Sequence, residues 1–226
     1  MLSLLPIGAT SFRLKNRFFQ TEQYCALSDR NGGSSSIDNL ALLLAVCGEI
    51  DVLGKEIMRQ VSPDVSAGQC TISKWGYRLC CAFPGLGDMS VQFSRQWCFK
   101  PFEKWEIVVK ESKGKARYEL AEGARPLQWW NDYNDVKHHR AEINKLSGAS
   151  NFEKANQRNL VHAFGALFLL NRLFMKTIDP EDYATLRRSS LFMVCNSSDE
   201  ARGYFAYDSE GYPAVYSVDP SSSAVG

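Results

Sequence analysis

Ser150-Asn151-Phe152-Glu153, followed by Ala155, Leu160, Ala163, Phe164, Leu167, Leu170 and Phe174, carries the clearest structural signal in the chain. A Ser hydroxyl can accept from an early helix N–H while a glutamate three residues on reaches back, so Ser150 and Glu153 read as a capping box. The apolar positions that follow recur at helical spacing. They predict a long, buried helix running to about Ile178, closed by Asp179-Pro180.

A second amphipathic helix is predicted just before it. Pro126 suits a first helical turn. Trp129, Tyr133, Val136 and Ile143 share one face, and the helix is expected to reach Leu146 before Ser147-Gly148-Ala149 breaks it. A third helix is predicted over 37–61. Ser36 is its N-cap, Leu40, Leu43, Leu44, Cys47, Ile50, Gly54, Ile57, Met58 and Val61 form its main face, and Pro63 ends it. Residues 72–83 read equally as a strand or a short helix, broken by Pro84-Gly85.

β-structure is expected at two places. Residues 105–110 and 116–120 are β-rich arms around a Gly-containing basic turn, a hairpin signal. The turn reads as a solvated tip, with a phosphate contact as the alternative. Residues 203–207 and 214–218 read as two strands of a C-terminal tail whose end, from Ser221, is expected to be disordered. Residues 1–30 read as an irregular arm or a strand pair. The class is α+β, mainly α: an arm and loop over 1–36, a helical domain over 37–190 with a hairpin inserted near 103–122, and a β-rich tail over 191–226.

The chain has 226 residues and a formal net charge of +1. That balance argues against a global electrostatic grip on nucleic acid and leaves room for local basic patches. Seven cysteines, an odd number with no Cys-x-x-Cys pair, read as reduced thiols in a cytoplasmic setting. A zinc site from Cys70, Cys80, Cys81 and Cys98 is disfavoured because adjacent cysteines chelate poorly. The apolar start precedes its basic residues, the reverse of a secretory signal. The most apolar run, Ala163 to Phe174, contains Asn171 and Arg172, so no membrane association is expected.

The densest chemistry lies in Trp129-Trp130-Asn131-Asp132-Tyr133-Asn134-Asp135-Val136-Lys137-His138-His139-Arg140, which holds two of the three histidines. On a helix, residues four apart are neighbours, so Asn134 stands beside His138 and Asp135 beside His139. Imidazole titrates near neutral pH and serves as acid or base. The plain alternative is a surface histidine and a solvated ion pair. Trp129 and Trp130 read as packing, with stacking on a base as the alternative. Arg158-Asn159-Leu160-Val161-His162 places a second cation and imidazole on one helical face. A divalent metal on His138, His139 and His162 with Asp132 or Asp135 is disfavoured, since adjacent histidines point about 100° apart on a helix. No metal or cofactor is expected.

A polar helix ending in Asn-x-x-x-His, a short break and a long apolar helix together resemble HEPN domains, helical bundles that include many metal-independent ribonucleases. The matching stretch is Tyr133 to His138, within residues 126–178, with helix 37–61 as an earlier bundle member. Asn134 and His138 fit the family's Asn and His, while Tyr133 stands where its Arg belongs. Lys137 or Arg140 is then left to supply positive charge. The Arg158 to His162 pair has the Arg but is one residue short. The resemblance implies an RNA- or nucleotide-associated protein, a homodimer that joins two motifs, and a role in bacterial toxin, stress or phage-defence systems. The competing class is a non-catalytic interaction module that binds a protein partner and has lost the nuclease Arg.

Overall fold

The structure, a computed structural model, describes residues 5–63, 70–93, 97–112, 115–143, 148–178, 192–194, 203–207 and 213–217. The expected ends at 144–147 and 179–180, the hairpin turn at 113–114, the 208–212 connection and the terminal serines lie outside the described residues.

The chain is mainly helical with small antiparallel sheets, as its periodicities predict. Two long helices, α2 (Ile37–Val61) and α5 (Gln157–Ile178), pack on each other and form the centre. Around them stand α1 (Leu5–Gln20), α3 (Ile72–Ala82) and α4 (Gln128–His139). α2 starts at the predicted N-cap, where the Ser36 hydroxyl accepts from the Asn39 amide at 3.0 Å. Leu42, Leu43, Val46, Cys47, Ile50, Leu53, Ile57 and Met58 are all buried, so α2 is enclosed on more than one side. By length and composition α5 is apolar enough to cross a bilayer; here it lies in the core, with Leu160, Val161, Ala163, Leu169 and Leu170 inaccessible to solvent.

α1 corrects the expectation of an arm or strand pair. Leu5–Gln20 is amphipathic at helical period, with Leu14 and Phe18 one turn apart, and packing fixes it. Phe18 is fully buried, 4.7 Å from the Phe164 ring and 5.7 Å from Phe93, and Leu14 lies in the same core. The helical body therefore begins before residue 36. The ambiguous 72–83 segment is a helix, because Trp75 and Leu79, one turn apart, both enter the core.

Two boundaries near the predicted site also differ from expectation. The Ser150–Glu153 capping box forms, with the Glu153 carboxylate accepting the Ser150 N–H at 3.1 Å, but it opens only a 3-10 turn over Asn151–Lys154. Ala155 leaves helical geometry, and Asn156 caps α5 afresh by accepting the Asn159 amide at 3.0 Å. α4 stops at His139, not Leu146. Its last carbonyl accepts from Asn151 Nδ2 at 3.0 Å, and Ile143 is 64% exposed.

Strands β1 (Val91–Phe93) and β2 (Trp97–Phe99) pair antiparallel, and β5 (Phe192–Val194) joins the other edge of β1, giving the order β2-β1-β5. The start of the expected tail thus belongs to the body's sheet. β3 (Ile107–Ser112) and β4 (Lys115–Leu120) form the predicted inserted hairpin, laid on α3 through Tyr77 and Tyr118 at 5.6 Å. β6 (Gly203–Tyr207) and β7 (Pro213–Ser217) form the C-terminal hairpin. An aromatic cluster fills the space between α2, α3 and α4. Trp75 meets Trp105 and Trp130 edge-on at 5.8 and 6.4 Å, and Trp129 donates its indole N–H to the Pro101 carbonyl at 2.8 Å. Edge-to-face arrays of this kind add to simple area burial.

Candidate functional site

The α4 motif separates into buried and exposed parts. Trp129, Trp130 and Tyr133 are core residues, which removes the base-stacking alternative for the two tryptophans. Tyr133, at the position of the family's Arg, packs 5.1 Å from Trp130 and is only 6% exposed. Lys137 lies over the outer side of that ring at 5.5 Å, a cation–π contact. His138 is exposed on the last turn of α4, one turn beyond half-buried Asn134, and Arg140 follows the helix, also exposed. Asp135 does not orient His139: it pairs with Lys154 at 2.5 Å, and His139 instead meets Glu142 at 2.9 Å. The α4 motif therefore brings imidazoles to open solvent and leaves the position of its Arg in the core. Helix periodicity had placed Tyr133 on the apolar face with Trp129 and Val136, so the conflict was already present in the sequence.

The second motif is built differently. The chain from Ala26 to Ser36 folds back over the first turn of α5. Gln157 clamps it at both ends, accepting from the Ser28 amide at 3.1 Å and donating to the Ala26 carbonyl at 3.2 Å. The Gln157 and Arg158 amides donate to the Ser34 and Gly32 carbonyls at 2.9 and 2.8 Å. The start of α5 thus spends its first two free amides on this loop, while those of Asn159 and Leu160 go to Asn156. The clamp brings Asp29 to Arg158, whose Nη2 reaches Oδ1 at 3.1 Å. One turn further along, His162 stacks on Phe99 of β2 at 4.4 Å with a 28° tilt. Phe99 can sit there because Gly165 has no side chain: a Cβ at that position would lie 2.8 Å from the Phe99 ring.

An exposed guanidinium, an exposed carboxylate and a largely enclosed imidazole therefore share one face. Burial, aided by the Arg158 charge and opposed by Asp29, pushes the His162 imidazole down to about 4. It is neutral at pH 7, available to accept a proton. The folding consequence follows in sign. The unfolded imidazole takes up a proton near 6.5 and the native one only near 4, so between these values the unfolded chain binds more protons. The contribution is complete above 6.5 and is lost as pH falls from 6.5 towards 4. We expect His162→Gln to flatten that part of the stability–pH curve relative to the parent in urea titrations. Parallel curves would show that the ring is not protected from protonation.

Asn159, between Arg158 and His162, faces the core. Its Nδ2 donates to buried Asp132 at 2.9 Å and to the Lys154 carbonyl at 2.9 Å. Asp132 also accepts from Gln128 Nε2 at 2.9 Å, with Lys154 at 3.8 Å. This network ties α4 to the first turn of α5 and explains how Asp132 is tolerated in a buried position. We expect Asn159→Ala to cost about 2 kcal/mol, because it strips a donor from a buried carboxylate. A shift in unfolding free energy below about 0.5 kcal/mol would show that water replaces the amide.

Among the described residues no group of three His, Cys, Asp or Glu side chains is placed to hold a metal ion, so neither the four-cysteine nor the three-histidine arrangement assembles. Six described cysteines carry free thiols, and Cys195 lies outside the described residues. No protein-family model, curated protein or solved structure matches this chain.

Proposed function

We propose that the chain is an RNA-processing protein of HEPN type whose working pair is Arg158 and His162, and that it cleaves RNA without a metal. One observation carries the reading: a neutral imidazole and a guanidinium stand one turn apart on a rigid, core-anchored helix, walled on one side by Phe99. In the reaction, His162 takes the proton from a ribose 2′-hydroxyl. The 2′ oxygen attacks the adjacent phosphorus, the bond from phosphorus to the 5′ oxygen breaks, and the departing oxygen takes a proton from solvent. The products are a 2′,3′-cyclic phosphate and a 5′-hydroxyl end. Arg158 stabilises the charge that grows on the phosphoryl oxygens. Asp29 engages only Nη2, so the other guanidinium donors can meet a phosphate. A homodimer that joins two such faces belongs to the same reading.

The β3–β4 hairpin supports an RNA substrate. Its register puts Lys110 directly opposite Arg117, with Lys115 on the same face and Glu119 offsetting them through a 3.3 Å pair to Lys110. Like charges facing across a ladder destabilise it unless an anion lies between. Lys110→Ala with Arg117→Ala should lower the slope of log affinity against log salt for single-stranded RNA by about 1.4, at roughly 0.7 for each phosphate that is no longer neutralised. An unchanged slope would leave the hairpin as a solvated tip.

The competing reading, a non-catalytic interaction module, draws on the burial of Tyr133, which puts the position of the family's Arg in the core and away from exposed His138. One assay separates the two. Structured RNA is incubated with the chain in excess EDTA, beside His162→Ala and His138→Ala. Cleavage that His162→Ala abolishes and His138→Ala retains supports the proposal. No cleavage by the parent supports the module, loss confined to His138→Ala returns the site to α4, and chelator-sensitive cleavage points to a metal.

A further inference from the structure

We infer that the cleft between the end of α1 and the first turn of α2 is a base-binding subsite that selects a nucleobase bearing an exocyclic amino group. The inference rests on the RNA reading above and extends it to a second place on the surface. The cleft encloses about 330 Å³, at the small end of the range for ligand sites, about 300–1,000 Å³. Its floor is Leu42, 1% exposed. Thr21 is wall and not ligand, since its hydroxyl already donates to the Phe18 carbonyl at 2.6 Å.

The remaining lining has the composition that single-stranded RNA recognition uses. Tyr24 is 81% exposed, a large aromatic face turned to solvent where burial would ordinarily place it inside. Unpaired bases stack on such faces, and their edges are then read by hydrogen bonds. Gln20 offers both a donor and an acceptor, while Asp38 offers acceptors only. A carboxylate accepts from the amino group of cytosine, adenine or guanine. Uracil has no amino group: its one edge donor is the imide N3–H, flanked by two carbonyl oxygens that meet the Asp38 carboxylate acceptor to acceptor. Arg17, on the same rim, supplies the charge for a backbone phosphate.

The cleft is tied to the Arg158–His162 face by the chain itself. Tyr24 is two residues from Ala26, whose carbonyl Gln157 holds at 3.2 Å, and Gln157 adjoins Arg158. Five residues beyond Tyr24, Asp29 touches Arg158. At a maximum of about 3.5 Å per residue, the two places lie within roughly 18 Å along the chain, a span that a few nucleotides cover. A strand can thus seat a base on Tyr24 while a nearby phosphate meets Arg158.

The test is equilibrium binding of CMP, AMP, GMP and UMP to the full chain by calorimetry, with inorganic phosphate as the control. At least one amino-bearing nucleotide should bind about tenfold or more tighter than UMP. Tyr24→Ala should weaken that nucleotide by about tenfold or more, Tyr24→Phe should preserve it, and Asp38→Asn should narrow the gap to UMP. Phosphate should bind independently of Tyr24. Equal binding of UMP, or indifference to Tyr24→Ala in a chain whose circular dichroism and melting are unchanged, overturns the subsite. The two proposals fail separately. Tyr24-dependent nucleotide binding in a chain that cleaves no RNA sinks the catalytic reading and leaves the subsite. His162-dependent cleavage with Tyr24-independent nucleotide binding does the reverse.

Discussion

His162→Ala should lower the proposed RNA cleavage in EDTA by about 10²–10⁴-fold, the usual loss when a positioned acid or base is removed. Position matters here before basicity. His162 stands on α5 with its ring stacked on Phe99 at 4.4 Å, which restricts where the imidazole can point. Its low intrinsic pKa weakens it as a base in the free protein. Under the proposed mechanism RNA would correct this: a phosphate on Arg158 would offset the positive charge that helps hold the imidazole down and would add a negative one beside it. Substrate binding should therefore be accompanied by a rise in the His162 pKa, measured by NMR titration of that ring with and without a non-cleavable oligonucleotide. Arg158→Lys keeps a point charge but loses the planar fork, so it should retain part of the activity while Arg158→Met loses nearly all. If Arg158→Met and Arg158→Lys are equally active, the guanidinium has no part in the chemistry.

The contrast between α2 and the site shows what a sequence can carry. α2 was legible end to end because its signals are local. Ser36 caps it, its apolar face repeats at helical spacing, and the structure runs from Ile37 to Val61. The Arg158 site depends on contacts across 129 positions, from Asp29 to Arg158 and from Ser28 to Gln157, and no local spacing encodes those. The Arg-x-x-x-His spacing was visible, but nothing in it told that Phe99 would wall His162. α1 did carry a local signal, since its anchors Leu14 and Phe18 stand one helical turn apart, but the partners they meet in the core, Phe93 and Phe164, are distant in sequence. The end of α4 was misplaced because Ile143 continued the apolar period, whereas the Asn151 side chain, twelve residues downstream of His139, caps the helix there.

Gly76→Ala should destabilise the fold by about 2–4 kcal/mol, against the sign that helix propensity alone predicts. In the middle of a helix, alanine is favoured over glycine by about 1 kcal/mol. Here a Cβ on residue 76 would lie 2.4 Å from Cη2 and 2.6 Å from Cζ2 of Trp105. The indole has no simple retreat. It is 5% exposed, with Phe102 at 5.5 Å on one side and the edge of Trp75 at 5.8 Å on another. Trp75 is itself fixed, donating its N–H to Asp51 at 3.2 Å and lying within 2.9 Å of where a Cβ on Gly54 would stand. Relief therefore has to come from α3 lifting off the cluster, which loosens the hairpin stacked on Tyr77. Overpacking of this kind costs about 1–3 kcal/mol, and partial loss of tryptophan burial adds to it. A double-mutant cycle isolates the cause. Trp105→Ala alone opens a cavity and should cost about 3–5 kcal/mol. In that background Gly76→Ala no longer meets an indole, so its effect should change sign and stabilise by up to about 1 kcal/mol. Urea midpoints at constant slope measure each corner. If Gly76→Ala is as damaging without the Trp105 ring as with it, the glycine is required for a reason other than the close approach of that indole.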